Sequence, residues 1–325
     1  MTAKSILIVG AGELGLSLID AFLAHPSKSS VSVMLREKSS SIATLSARYH
    51  TSNNSNSNSS SLKIVYGDIS SSVENLAGVL AGFDIVISAT GFSSGPGSQL
   101  KLAQAALKAK VGHYVPWQFG VDYDTIGRGS SQPLFDEQLD VRDLLRGQER
   151  AHAAVVPWTI ISTGLFTSFL FDPAFGVVNV DQEAQTIRVK ALGSLQNRLT
   201  ITSAQNIGIY TSRILLDGAT PIEGVVFVAD DTITFDQVAD AISEKAVRDS
   251  SKSSGGGWKL NRTEATVGEL ESALSKNQDD VGAKYSLIWA RAKGVAWEKE
   301  SSWNWKNGLR GQDLQDWVEK NLELP

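Results

Sequence analysis

The chain contains no cysteine. That excludes disulfides, thiolate nucleophiles and cysteine-ligated zinc, and it suits a reducing compartment. Histidine is scarce too: His25, His50, His113 and His152 are the only four, and none has the spacing of a metal-binding pair such as H-E-x-x-H. No metal is expected. Neither sign of charge is in large excess, since 30 Lys+Arg stand against 35 Asp+Glu for a net charge of −5. Such a balance offers no basic footprint for nucleic acid. Uninterrupted apolar runs long enough to span a bilayer are also missing. The most apolar stretch, 153–171, is broken by Pro157, Thr159, Ser162, Thr163, Gly164, Thr167 and Ser168, and reads as a buried strand followed by a loop. No cleavable leader is visible at the start. A soluble, cytoplasmic protein without nucleic-acid or membrane partners is the expectation, as monomer or homodimer.

What is present begins at the amino terminus. Ser5-Ile6-Leu7-Ile8-Val9 is an apolar run, Gly10-Ala11-Gly12-Glu13-Leu14-Gly15 follows at once, and residues 16–23 carry apolar side chains at helical spacing. Strand, glycine turn and helix together are the context in which G-x-G-x-x-G points to a dinucleotide. Gly10 permits the tight turn, Gly12 a close approach of backbone to pyrophosphate, and Gly15 close packing of helix on strand. A second strand, Val31–Leu35, ends in Arg36 with Lys38 two residues on. Cations at this strand end suit the 2′-phosphate of NADP(H), although Glu37 lies between them.

Further β-α units follow. Residues 51–61 are a Ser/Asn tract, expected as a mobile loop because it buries too little to offset its ordering entropy. Leu62–Tyr66 is a third strand leading to Asp68 and Ile69, where adenine commonly rests. Helix 73–80 and strand 83–88 lead to Ala89-Thr90-Gly91, at the sheet edge where ligands gather. Gly91-Phe92-Ser93-Ser94-Gly95 imitates the G-x-S-x-G of hydrolases, but the last 173 residues hold no histidine, and neither His113 nor His152 leaves room for the usual Ser–acid–His spacing, so a serine triad is not expected. Helix 98–109, strand 112–116, helix 134–146 and strand 158–162 complete an α/β, doubly wound parallel sheet over residues 1–162. Residues 163–325 read as a smaller α+β region, interleaved with the first and rich in aromatics towards its end.

These features resemble the isoflavone reductase-like branch of the NmrA-like atypical short-chain dehydrogenase/reductases. The residues carrying the resemblance are the glycine turn, Leu35-Arg36, Gly67-Asp68, Ser88–Gly91, Tyr114-Val115-Pro116-Trp117-Gln118-Phe119-Gly120-Val121-Asp122, Gln138–Arg142, Ser162–Phe166 and Leu199–Gly208. The resemblance implies a Rossmann domain binding NADP(H), a small substrate domain and a cleft between them. It implies cofactor contacts from Gly10, Gly12, Glu13, Leu14, Gly15, Arg36, Lys38, Asp68, Ile69, Ala89, Thr90, Gly91, Trp117, Gln118, Phe119 and Gln138. Phe92, Trp117, Phe166, Phe169, Phe171 and Trp289 are the candidate substrate contacts.

Two departures bear on chemistry. The family's Pro-Ser-Glu-Phe-Gly is Pro116-Trp117-Gln118-Phe119-Gly120 here, and its proton-transferring lysine is replaced by Gln138. An amide donates and accepts hydrogen bonds but does not titrate near neutral pH. Nor does any tyrosine have a lysine four residues on. Gln138, Asp122 and Tyr123 are therefore the catalytic candidates. The leading expectation is reduction of a small conjugated substrate, with C=N or activated C=C favoured over a plain ketone. A redox-neutral cyclase or isomerase and a non-enzymatic NADP(H) sensor are the alternatives.

Overall fold

The structure is a computed structural model that describes residues 3–49, 51–52, 62–91, 95–148, 155–250 and 257–324. Its first elements are β1 (Ser5–Val9), α1 (Glu13–Ala24), β2 (Ser30–Leu35), α2 (Ser41–Arg48), β3 (Thr51–Ser52), β4 (Leu62–Tyr66), α3 (Val73–Leu80), β5 (Ile85–Ser88), α4 (Ser98–Ala109) and β6 (Tyr114–Val115). Next come α5 (Tyr123–Ile126), α6 (Leu134–Arg146), β7 (Thr159–Ser162), β8 (Leu165–Phe166), α7 (Thr167–Leu170), β9 (Val178–Asp181), β10 (Thr186–Leu192), β11 (Arg198–Thr202), α8 (Ala204–Leu216) and β12 (Gly224–Phe227). The chain ends through β13 (Asp231–Thr234), α9 (Phe235–Ser250), β14 (Lys259–Ala265), α10 (Val267–Lys276), α11 (Val281–Ala290), α12 (Trp303–Lys306) and α13 (Leu314–Asn321).

Two compact units result, and neither follows the chain continuously. Residues 1–119, 134–162 and 204–226 form the first; residues 120–133, 163–203 and 227–325 form the second. One boundary falls at 162/163, while 120–133 and 204–226 cross it in opposite directions. The reason lies in pairing: β12 joins β7 across some sixty intervening residues, and α8 packs against α1.

In the first unit six strands run in the order β3-β4-β2-β1-β5-β6, every pair parallel. A parallel bridge between Tyr114 and Trp158 continues this edge towards β7. Strands buried on both faces must be apolar almost throughout, and β1, β2 and β5 are. Leu7, Val9 and Val86 point into a core completed by Leu76, Leu102 and Val141 from α3, α4 and α6. The pleat sends Ile6 and Ile8 to the other face, where α1 and α8 pack together. Burial of each such side chain contributes at most about 1.5–3 kcal/mol. The closeness of α1 and α8 needs Gly208, because a Cβ there would lie 2.3 Å from the Ser17 carbonyl oxygen. From β1 the chain passes to β2 on one side, while β5 lies on its other side. The carboxyl end of β1 is thus a topological switch point, where open α/β sheets bind ligands.

The second unit holds two three-stranded sheets, β14-β10-β9 and β13-β11-β8. Asn304 latches the C-terminal segment onto this unit: its Oδ1 accepts from Ala229 N at 3.0 Å and its Nδ2 donates to Ala229 O at 2.9 Å. Several elements here were not legible beforehand, among them β9, β13, β14, α10, α11 and α13. In the first unit α2 and β3 were equally silent. Thr51 and Ser52 pair in parallel with Leu62 and Lys63, whereas 53–61, the rest of the tract expected to be mobile, lie outside the described residues. Among the described residues no helix is long and apolar enough to cross a membrane. The apolar 153–171 stretch contributes β7, β8 and α7.

Candidate functional site, a dinucleotide groove

β1 delivers the chain into Gly10, whose φ of +103° is closed to most side chains. A Cβ at Gly15 would meet the Gly10 carbonyl oxygen at 2.3 Å, so the helix start is pressed against the turn. Around Gly12 the situation is reversed, since a Cβ there would find nothing within 4 Å. Gly12 is also the N-cap of α1, and no side chain caps it. Glycine at the N-cap leaves backbone open to a ligand at a helix end that carries partial positive charge. Leu14 is buried beneath the turn and Glu13 is exposed.

This turn floors a groove of about 750 Å³. Arg36, Ser39 and Ser41 enter it from the β2–α2 connection, Asp68, Ile69 and Ser70 from the end of β4, and Thr90 from the end of β5. Pro96, Gly97, Ser98 and Lys101 line it from the start of α4. Lys38 is exposed and is not among the lining residues, so of the two cations read at the strand end only Arg36 faces the groove. The Asp68 carboxylate accepts from Ser70 N at 2.8 Å. Hydrogen bonds from Ser70 hold its carboxyl below the usual carboxylate range, helped by the fields of Arg36 and Lys101.

The β5 end is held by a residue the sequence did not nominate. Gln99, nearly inaccessible at 1%, donates from Nε2 to the Gly91 carbonyl at 2.6 Å and to Thr90 Oγ1 at 3.4 Å. Gln99 is itself placed by Glu137 of α6. The Glu137 carboxylate accepts from Gly97 N and Gln99 N, each at 2.8 Å, and from Leu100 N at 3.1 Å, capping α4 across the packed helices. Trp117 stands over Gly91, its ring carbons 3.6 and 3.7 Å from the position of a Cβ there. Ala89 and Phe119 are buried, while Phe92 lies outside the described residues.

Beside Trp117, three fully buried polar side chains meet. Arg142 Nε donates to Gln118 Oε1 at 2.7 Å, and Gln118 Nε2 donates to the Gln138 main-chain carbonyl at 2.8 Å. The Gln138 side chain is different: neither Oε1 nor Nε2 has a hydrogen-bond partner among the described residues, although the residue is 0% exposed. An unmet buried amide costs about 1–3 kcal/mol, so its presence calls for a reason. Gln138 is not among the residues lining the groove. A helix start with glycine at its N-cap and a groove-facing Arg36 suit a phosphorylated ligand.

The remaining candidates are placed otherwise. Asp122 caps the short α5, accepting from Thr125 N at 3.3 Å and from Thr125 Oγ1 at 2.6 Å. That is the turn role for which carboxylates are suited, and proton donation by Asp122 is not carried forward. Tyr123 is buried, its hydroxyl 3.0 Å from where a Gly120 Cβ would stand. Trp289 is 1% exposed and packs edge-on against Phe175, so the structure makes it a core side chain rather than an open wall. Phe169 contacts Phe175 and Tyr285, Phe171 stacks on Trp317 at 4.5 Å, and Phe166 is half-buried ahead of α7. Burial pushes the Tyr285 hydroxyl up to about 12.

The sheet order and the groove at its switch point define a Rossmann-type α/β fold. The NmrA-like family model matches residues 2–271. An NmrA-like family domain-containing oxidoreductase of Gibberella moniliformis is 34% identical over 332 residues, covering 99% of both chains. The chain belongs to the NmrA-like family. Among solved structures, an NADPH-dependent quinone oxidoreductase of Escherichia coli complexed with NADPH superposes with a TM-score of 0.70 at 15% identity, covering 98% of this chain and 100% of that one. An isoflavone reductase gives 0.68 at 18% identity, covering 100% of this chain and 91% of that one. Similarity at that distance shows the shared fold.

Proposed function

We propose that the chain is an NADPH-dependent reductase of a small conjugated substrate, whose reducible bond is C=N or an activated C=C. Support for the cofactor comes from the groove, from the oxidoreductase name of the Gibberella relative and from the NADPH bound to the Escherichia coli neighbour. When bound, NADPH supplies the hydride. The chain's own part is to bind and orient. The open backbone at Gly12 and the α1 amides suit the diphosphate, and Arg36 suits the 2′-phosphate. Trp117, stacked over Gly91, borders the region beyond the β5 end.

The observation that carries the substrate preference is Gln138. Its unmet amide can hold a ribose hydroxyl or a substrate oxygen, but it cannot deliver a proton near neutral pH. A ketone needs that proton on its developing alkoxide; an iminium accepts hydride without one, and an activated C=C gives a stabilised enolate that solvent water protonates. The same observation favours one second reading, a redox-neutral cyclase or isomerase that keeps the cofactor as part of the cleft.

Incubating the purified chain with NADPH and a panel of ketones, enones and iminium compounds tests both. Oxidation of NADPH by iminium or enone substrates, with ketones inert, is the expected result. Product formation with the cofactor spectrum unchanged would replace the first reading by the second. Gln138→Lys is expected to gain ketone reduction.

A further inference from the structure

Two cationic residues and one carboxylate are found among the described residues lining the groove: Arg36, Lys101 and Asp68. Arg36 was legible from its position after β2. Lys101 was not, because it lies one turn inside α4, where a lysine ordinarily reads as a solvated surface charge. The structure places it differently. Lys101 is only partly exposed, and its ammonium lies 3.3 Å from the Ile69 carbonyl oxygen and 3.5 Å from that of Ser70. Both carbonyls belong to the loop that follows β4 and lines the groove. An ammonium has three donors in a compact head, so these two long contacts leave capacity for an acceptor in the groove. Its neighbour on the same helix, Lys108, is spent on an exposed ion pair with Glu74.

The two cations reach the groove from different elements. Arg36 comes with Ser39 and Ser41 from the β2–α2 connection, while Lys101 comes from α4 and is tied to the Ile69–Ser70 loop. We propose that Lys101 is a ligand of the adenosine diphosphate portion shared by NADPH and NADH, whereas Arg36 reads the 2′-phosphate that distinguishes them. The inference rests on the NADP(H) reading above. Lys101 does two jobs at once: it steadies the Asp68–Ser70 loop and places positive charge beside a polyanionic ligand. Asp68, which feels both cations, offsets part of their positive charge in the groove. Because Lys101 serves the common portion, its removal weakens both coenzymes alike and leaves the preference between them unchanged.

The test is calorimetric titration of the full chain with NADPH and with NADH. Lys101→Met keeps the aliphatic stem and removes the charge; it is expected to weaken both coenzymes roughly tenfold, with their ratio preserved. Lys101→Arg recovers most of the loss, and Lys108→Met changes neither. Affinities within twofold of the unsubstituted chain overturn the assignment, as does a loss confined to NADPH. Should Lys101→Met fail to fold, acetylation of the unsubstituted chain, mapped by peptide mass, decides the matter. Lys101 is then protected by NADPH and by 5′-ADP; equal labelling with and without these ligands overturns the proposal. If the unsubstituted chain binds no NADPH, the proposed function falls as well, whereas intact binding indifferent to Lys101 removes this inference alone.

Discussion

His113 shows how one side chain can make the fold depend on pH. It is 3% exposed and its Nε2 lies 2.7 Å from Thr159 Oγ1. Burial lowers its pKa to about 4 from an ordinary value of 6.5. The folded chain therefore binds this proton less readily than the unfolded chain. Full stability is present above pH 6.5, and it is lost as the pH falls from 6.5 towards 4, by about 3 kcal/mol at most. Urea midpoints at pH 7.5 and pH 5 check this: His113→Gln should show a smaller drop than the unsubstituted chain. Gln138 belongs to the same scale. That it replaces a lysine was visible in the sequence, but its full burial and its unmet amide were not.

At the scale of elements, the glycine turn separates folding from binding. Gly15→Ala puts a methyl 2.3 Å from the Gly10 carbonyl oxygen and should cost more than about 3 kcal/mol, if the chain folds at all. At Gly12 a methyl meets nothing, so Gly12→Ala should keep its melting temperature to within about 0.5 kcal/mol of stability while weakening NADPH. Thermal melts with and without coenzyme distinguish the two. Glu137 ties α6 to the start of α4 by capping three amides. Glu137→Ala should cost about 1–2 kcal/mol, read as a shift in denaturant midpoint with unchanged slope. It should also loosen the hold of Gln99 on Gly91, seen as weaker NADPH binding beyond the stability loss.

For the whole molecule, a ligand that binds only the folded state adds stability by mass action. NADPH at a hundredfold excess over its dissociation constant should contribute about 2.7 kcal/mol, and NADH at equal concentration less. A melting temperature indifferent to both coenzymes would contradict the groove's reading as a dinucleotide site. The division into two units also acts at this scale. Because 204–226 fold with the first unit and 120–133 with the second, truncation at 162 removes α8 and β12 from the first unit. A fragment of residues 1–162 should consequently expose the face that α8 shields against α1 and remain insoluble or molten, checked by near-ultraviolet circular dichroism.

What the sequence alone determined is local in origin. Apolar strands buried on both faces, turn glycines at fixed spacing and helices of 3.6-residue period announce themselves within a dozen residues. Hence β1, α1, α3, α4 and α6 and the class of fold were legible, as were Arg36 and the oddity of Gln138. Weakly patterned elements were not. β14, Lys-Leu-Asn-Arg-Thr-Glu-Ala, owes its existence to parallel pairing with β10 about seventy residues earlier. The arrangement of the site was equally a tertiary decision. Glu137 on Gly97, Gln118 between Arg142 and Gln138, and Lys101 on the Ile69–Ser70 loop are contacts between residues 20 to 40 apart, with no periodicity to advertise them. The burial of Trp289 and the capping role of Asp122 were likewise tertiary outcomes. A sequence shows which side chains can do chemistry, but only packing decides which are enclosed, which are spent on a cap and which remain available to a ligand.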